Sequence, residues 1–165
     1  VVTLNENSQL VIDVADEQTI LAVDHDRIRL AVEQILGETR IGQAEVSVAV
    51  VDDQTIRQLN ARYLDHDCAT DVLSFVLEQQ EEKLDGQIVV SAQTAQAEAA
   101  RYGWPPEDEL LLYVVHGALH LVGYDDGTPE SRQRMRQKER EALARFSLEP
   151  HWDAPAASRH AEAEE

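Results

Sequence analysis

The sequence predicts an α+β domain, α/β-like in its alternation, in which a small four-stranded mixed sheet is covered by about five helices. Three observations carry that prediction. Helical and strand periodicities interleave along the chain instead of segregating into halves. The strand candidates are short and number at most four. One strongly apolar helix begins near residue 107 and carries two histidines four residues apart, in the manner of a zincin metal-site helix.

Each element has its own signal. Gln9–Val14 alternates weakly and reads as a strand. Asp24 is placed to cap a helix over 26–37, with Ile28, Leu30, Ala31, Ile35 and Leu36 on its apolar side and Gly37 ending it. Ala44–Val51 alternates and is rich in valine, which predicts a second strand. Asp52 or Asp53 then caps a helix to about Tyr63, with Ile56 and Leu59 inward. Val72–Leu77 is the third strand. Glu78–Asp85 reads as a polar connection, and Gly86 as a turn into the short strand Ile88–Val90. The alanine-rich stretch 92–102 is a helix ended by Gly103. Trp104, Pro105 and Pro106 form a linker, and Glu107 and Asp108 place negative charge in the first turn of the helix that follows. Thr128 caps the last helix, with Pro129 at its first position. Beyond Phe146 the apolar period stops, so 1–146 is read as a single domain and 147–165 as a disordered acidic tail. No internal repeat is visible.

Composition narrows the class. At 165 residues the chain is long enough to bury a core without staples. Its single cysteine, Cys68, excludes an internal disulfide and fits a reducing compartment. No apolar run approaches the ~20 residues of a membrane span and no charged-then-apolar leader opens the chain, so a cytoplasmic protein without a membrane partner is expected. The first residue is Val, so an initiator methionine has been removed or left unnumbered.

A net charge of −18 argues against indiscriminate nucleic-acid binding, because phosphate contacts need Lys and Arg. The charge is uneven, however. Residues 130–145 hold Arg132, Arg134, Arg136, Lys138, Arg140 and Arg145 against three glutamates, whereas the rest of the chain has 8 basic and 29 acidic residues. A solvated helix face with salt bridges and a phosphate-facing patch are both consistent with that stretch.

The chemistry centres on residues 107–127. His116 and His120 lie on one helix face, ~40° apart around the axis and ~6 Å along it, so both rings can reach one ion. Gly123 lets the chain leave the helix by a left-handed turn, and Asp125 and Asp126 follow. The pattern H-x-x-x-H-x-x-G-x-x-D reads as a metal site. Two core histidines with a capping aspartate are the alternative, at a cost of roughly 1–3 kcal/mol for each imidazole left unsatisfied among Leu, Val and Ala.

The run His116-Gly117-Ala118-Leu119-His120-Leu121-Val122-Gly123-Tyr124-Asp125 resembles the signature of the YbeY family of bacterial metal-dependent endoribonucleases, also described as rRNA maturation factors. A second block is similar: Leu59-Asn60, Tyr63, Asp67 and Thr70-Asp71-Val72-Leu73-Ser74-Phe75. Gly86, Ile88-Val89-Val90-Ser91 and the Met135/Glu139 spacing agree too, so the resemblance covers about residues 44–145. Three positions depart from the family pattern. Asp126 stands where the signature has a third His, Leu64 where it has an Arg after the Tyr, and Gln87 where it has an Asp after the glycine.

The resemblance implies a single-strand-specific endoribonuclease with one zinc ion per chain, held by His116, His120 and Asp126. It also implies work in 16S rRNA 3′-end processing and ribosome quality control, with ribosomal RNA, the small ribosomal subunit and a ribosome-associated GTPase as partners. Asp126 is preferred to Asp125 because it occupies the third-ligand position of the signature. Its carboxylate binds zinc at ~2.0–2.2 Å, close to the ~2.0–2.1 Å of imidazole. Arg62 is the candidate replacement for the missing phosphate-binding Arg, and Thr70, Asp71 and Ser74 are further substrate-side candidates. Asp71 is read either as a carboxylate orienting an imidazole N–H or as a turn residue. Three protein ligands leave an open position at which zinc acidifies water towards a pKa of ~7. The general base is not identified. A metalloprotease would need a base at the position of Gly117, which has none. A catalytically weak assembly factor with a structural zinc is the remaining alternative. Cys68 is expected in a loop, and His66, His151 and His160 at the surface.

Overall fold

The computed structural model describes residues 9–151. Its elements follow in the order β1 (Gln9–Asp16), α1 (His25–Gly37), β2 (Gln43–Val51), α2 (Asp53–Leu64), β3 (Val72–Gln80), β4 (Lys83–Ser91), α3 (Ala92–Tyr102), α4 (Pro106–Leu121) and α5 (Pro129–Ala144). The four strands form one mixed sheet in the order β1-β2-β4-β3, as expected. β1, β2 and β4 are parallel, and β3 runs antiparallel along β4 at the edge.

Helix starts follow the capping chemistry. Asp24, Asp52, Ser91 and Thr128 each accept a backbone N–H two or three residues into the helix they begin. Between the two candidate caps of α2, Asp52 takes the role. Asp53 instead accepts hydrogen bonds from the hydroxyls of Ser91 and Thr94, joining α2 to the start of α3.

Alternation in the strands sorts the helices. Ala44, Val46, Val48 and Val50 of β2 join Leu84, Ile88 and Val90 of β4 in the main core with α1, α4 and α5. The opposite face is smaller: Val51, Leu73 and Val89 pack on Ile56 of α2. α4 lies in the middle of the main layer and is apolar nearly all round. From Glu109 to Leu121 every residue is buried except His116 and His120.

Two local expectations are corrected. Glu78–Asp85 is not a connection, because β3 continues to Gln80 and β4 begins at Lys83, with a tight turn at Glu81 and Glu82. β3 is an edge strand with its outer half exposed, so polar residues extend it without cost and its alternation fades. Gly86 is accordingly no turn. It pairs with Val76 inside the ladder, where an added Cβ would come within 2.9 Å of the Leu121 side chain. No helix among the described residues is long and apolar enough to cross a membrane.

Candidate metal centre

The last turns of α4 present His116 and His120 as the partly open positions of the buried run Glu109–Leu121, with the two side chains 24% and 31% exposed. Their Nε2 atoms lie 3.0 Å apart and the rings are nearly perpendicular, at 78°. After Val122 the chain reverses at Gly123, whose φ of +105° suits glycine. The amides of Gly123 and Tyr124 return to the carbonyls of His120 and Leu119. Asp125 then closes the turn by accepting the Gly127 amide, and Asp126 folds back over the rings. Its Oδ2 lies 3.6 Å from His116 Nε2 and its Oδ1 3.7 Å from His120 Nε2. Zinc bonds of ~2.0–2.1 Å in a tetrahedron separate neighbouring donors by about 3.4 Å. The donor spacings bracket that value, so these three residues form a group that could hold a metal ion.

Glu139 of α5 completes the arrangement from below. It is 3% exposed and its Oε1 lies 2.8 Å from His116 Nδ1. The ring therefore donates from Nδ1 and turns the Nε2 lone pair towards His120 and Asp126. The Tyr124 backbone hydrogen-bonds the His120 ring. Burial opposes charge on His116, but the hydrogen bond and charge of Glu139 outweigh it, with Asp71 and Asp126 adding to them, and the pKa is raised above the usual histidine value. His120 is lowered by burial and by His116, against the opposing pull of Asp126 and Asp125. The two neighbouring rings are thus shifted in opposite directions.

Glu139 was visible in the sequence only as a spacing. Its signal is a carboxylate on the buried stripe Ser131, Met135, Glu139, Leu143, where an apolar residue is the norm. Asp71, weighed for the ring-orienting role, makes no hydrogen bond to either ring; its Oδ1 accepts the Val72 amide and the Thr70 hydroxyl, and it reaches His116 only through its charge. Ser74 donates to the Gly117 carbonyl at 3.1 Å and so fastens α4 to β3. Arg62 is exposed on α2, with its guanidinium 5.3 Å from the Tyr63 ring centroid. Leu64, at the departed Arg position, is also exposed.

Cys68 and His66 are exposed, as expected, and His160 lies outside the described residues. His151 corrects the reading of a surface histidine. It stacks on Tyr102 at 3.7 Å, meets Trp104 edge-on and places Nε2 2.6 Å from the buried Glu109. Leu148 packs against the main core as well. The composition of the segment hides this because Tyr102, Trp104 and Glu109 supply the partners from elsewhere in the chain.

Comparison with known proteins agrees with the site. The profile of the family described as Endoribonuclease YbeY matches residues 12–147. An Endoribonuclease YbeY of Desulforamulus reducens is 41% identical over 144 residues, covering 82% of this chain and 92% of that protein. One from Pelotomaculum thermopropionicum is 41% identical over 127 residues, covering 73% and 84% of the two chains. The solution structure of a Thermotoga maritima protein superposes with a TM-score of 0.56 at 25% identity, over 90% of this chain and all of that one.

Proposed function

The chain belongs to the YbeY family, and on that premise we propose that it is a metal-dependent endoribonuclease whose His116, His120 and Asp126 hold one zinc ion. The observation that carries the reading is the convergence of those three donors where the buried run Glu109–Leu121 of α4 opens at His116 and His120, with Glu139 fixing one ring from behind.

When bound, a divalent ion supplies positive charge for a phosphoryl oxygen and acidifies water. The chain's own residues do the rest. Glu139 keeps a proton on Nδ1 of His116, so that Nε2 stays a lone-pair donor. Leu119 and Leu121, next to His120 in α4, are buried, while the two rings are partly exposed and so open to solvent. Asp126, 42% exposed, approaches from the loop side and adds negative charge that a third imidazole would not.

A protease is disfavoured by Gly117. A Cβ there would stand 2.7 Å from Ile88 and 3.1 Å from Ser74 and Val72, so the position faces the sheet and has no room for a base. Family membership extends the proposal to single-stranded ribosomal RNA, 16S 3′-end processing and ribosome quality control in the cytoplasm. The partners would be the small ribosomal subunit and a ribosome-associated GTPase, with residues 1–146 as the working metallohydrolase domain.

The test is to assay metal-stripped and zinc-loaded protein on structured RNA and on casein, with melting recorded for each form. Metal-dependent RNA cleavage with casein untouched is expected. Zinc that raises the melting temperature and leaves RNA intact would move the protein to the structural-zinc reading.

A further inference from the structure

α5 carries the densest basic run of an acidic chain. Its buried stripe, Ser131, Met135, Glu139, Ala142 and Leu143, faces the core, and Glu139 meets His116. At 100° and 1.5 Å per residue, Arg136 lies about 60° round from Glu139 and about 5 Å towards the N-terminus, and Arg132 about 20° and about 10 Å. Asp126 stands two residues before the Thr128 cap. The first turns of α5 thus run alongside the metal group, with Arg132 and Arg136 on one flank of the line that points at it.

Both side chains are exposed, and neither has an ion pair or hydrogen bond among the described residues. Other cations differ in pairing. Arg27 pairs with Asp108, Arg57 with Asp67 and Lys138 with Glu141, and Arg145 pairs with Glu38. Arg134, on the opposite flank, is also exposed and without an ion pair among the described residues, so it is their place beside the metal group that sets Arg132 and Arg136 apart. The sector continuing round from Arg136 holds Arg140, Gln133 and Gln137 and no carboxylate; Glu130 and Glu141 lie beyond it. Around it, the −18 charge of the chain repels RNA, so any phosphodiester that reaches the site needs a local cationic path.

We propose that Arg132 and Arg136 form a phosphate-binding ridge that lays single-stranded RNA alongside α5 and delivers it to the His116–His120–Asp126 group. The proposal rests on the endoribonuclease reading. Guanidinium groups one helical turn apart suit the task, since each can grip a phosphate through two N–H donors without reading sequence. Both are positioning residues, with no part in the bond-breaking step.

The experiment measures binding of a short, unstructured fluorescent RNA to chelated, full-length protein across a salt series, which separates binding from cleavage. Each lost phosphate contact on a single strand lowers the slope of log affinity against log salt by about 0.7. Arg132→Gln/Arg136→Gln should therefore lower it by about 1.4 and weaken binding roughly 25-fold at about 0.1 M salt. Arg134→Gln, an exposed arginine on the opposite flank, should stay within about twofold of the parent. In zinc-loaded protein the double variant should raise KM and leave kcat unchanged, with unaltered melting. A parent that binds and cuts RNA while the double variant keeps its slope overturns the ridge and leaves the endoribonuclease reading standing. A loss in Arg134→Gln that is half that of the double variant or more, equal per charge removed, assigns the effect to net charge and overturns the ridge as well. A zinc-loaded parent that neither binds nor cuts RNA overturns both.

Discussion

Replacing Glu139 separates the carboxylate that orients the metal group from one that merely sits near it. The Glu139 carboxylate is 4% exposed and 2.8 Å from His116 Nδ1. Glu139→Gln keeps an acceptor oxygen in that place and removes the charge, so the ring stays oriented but becomes a weaker donor. Loss of such a partner lowers metal affinity about 10- to 100-fold; the glutamine belongs at the low end, near tenfold or about 1.4 kcal/mol. Glu139→Leu removes the acceptor as well. It belongs near a hundredfold, with a further ~1–3 kcal/mol of stability lost to a buried N–H without a partner. Asp71→Asn is the comparison, because Asp71 acts on His116 by charge alone, and its effect should stay within about threefold at physiological salt. Competition against a chromophoric chelator gives the zinc affinity, and thermal melting of the metal-free forms gives the stability. In metal-free protein the His116 ring signals should also titrate at lower pH in Glu139→Gln, since Glu139 is the main group that raises this pKa against burial. Equal affinity losses in Glu139→Gln and Asp71→Asn, or parental affinity in a folded Glu139→Leu, would refute the assignment.

Three further outcomes are expected. His116→Ala or His120→Ala should abolish stoichiometric zinc in elemental analysis, and Asp126→Ala should weaken it strongly; full occupancy in Asp126→Ala would move the third ligand elsewhere. Gly117→Ala should lower stability by about 1–3 kcal/mol, read as melting temperature, because its methyl meets strand side chains at 2.7–3.1 Å. Gly86→Ala meets the side chain of Leu121 alone, at 2.9 Å or more, and should cost less. For Glu109, burial opposes ionisation, but the hydrogen bonds and charge of His151, with Trp104 and Tyr113, hold its pKa below the usual carboxylate value. Its stabilising contribution should be complete above the ordinary glutamate range and disappear as pH falls through the depressed folded value. His151→Ala should remove about 3 kcal/mol at neutral pH and flatten the acid limb of a stability-against-pH curve.

The parts of this molecule that were legible in the sequence are those whose cause is local. Asp24 and Thr128 announced their helices because a cap and its amide are three residues apart. The two histidines announced a shared face because helical geometry alone brings i and i+4 together. β3 reads short in the sequence because its outer residues meet water and carry no alternation; only the ladder to β4, set by pairing such as Gln79 with Leu84, reveals them as strand. The contacts of Glu139 and His151 are hidden in the sequence for the same reason in stronger form. Each is a polar residue whose partner lies far along the chain, 23 residues away for His116 and 42 for Glu109. Both contacts are made on α4, at its first turn and near its last. The helix that carries the chemistry is thus held at its two ends by buried carboxylate–imidazole pairs. One pair aims a ring at the metal group, and the other anchors the end of the described chain.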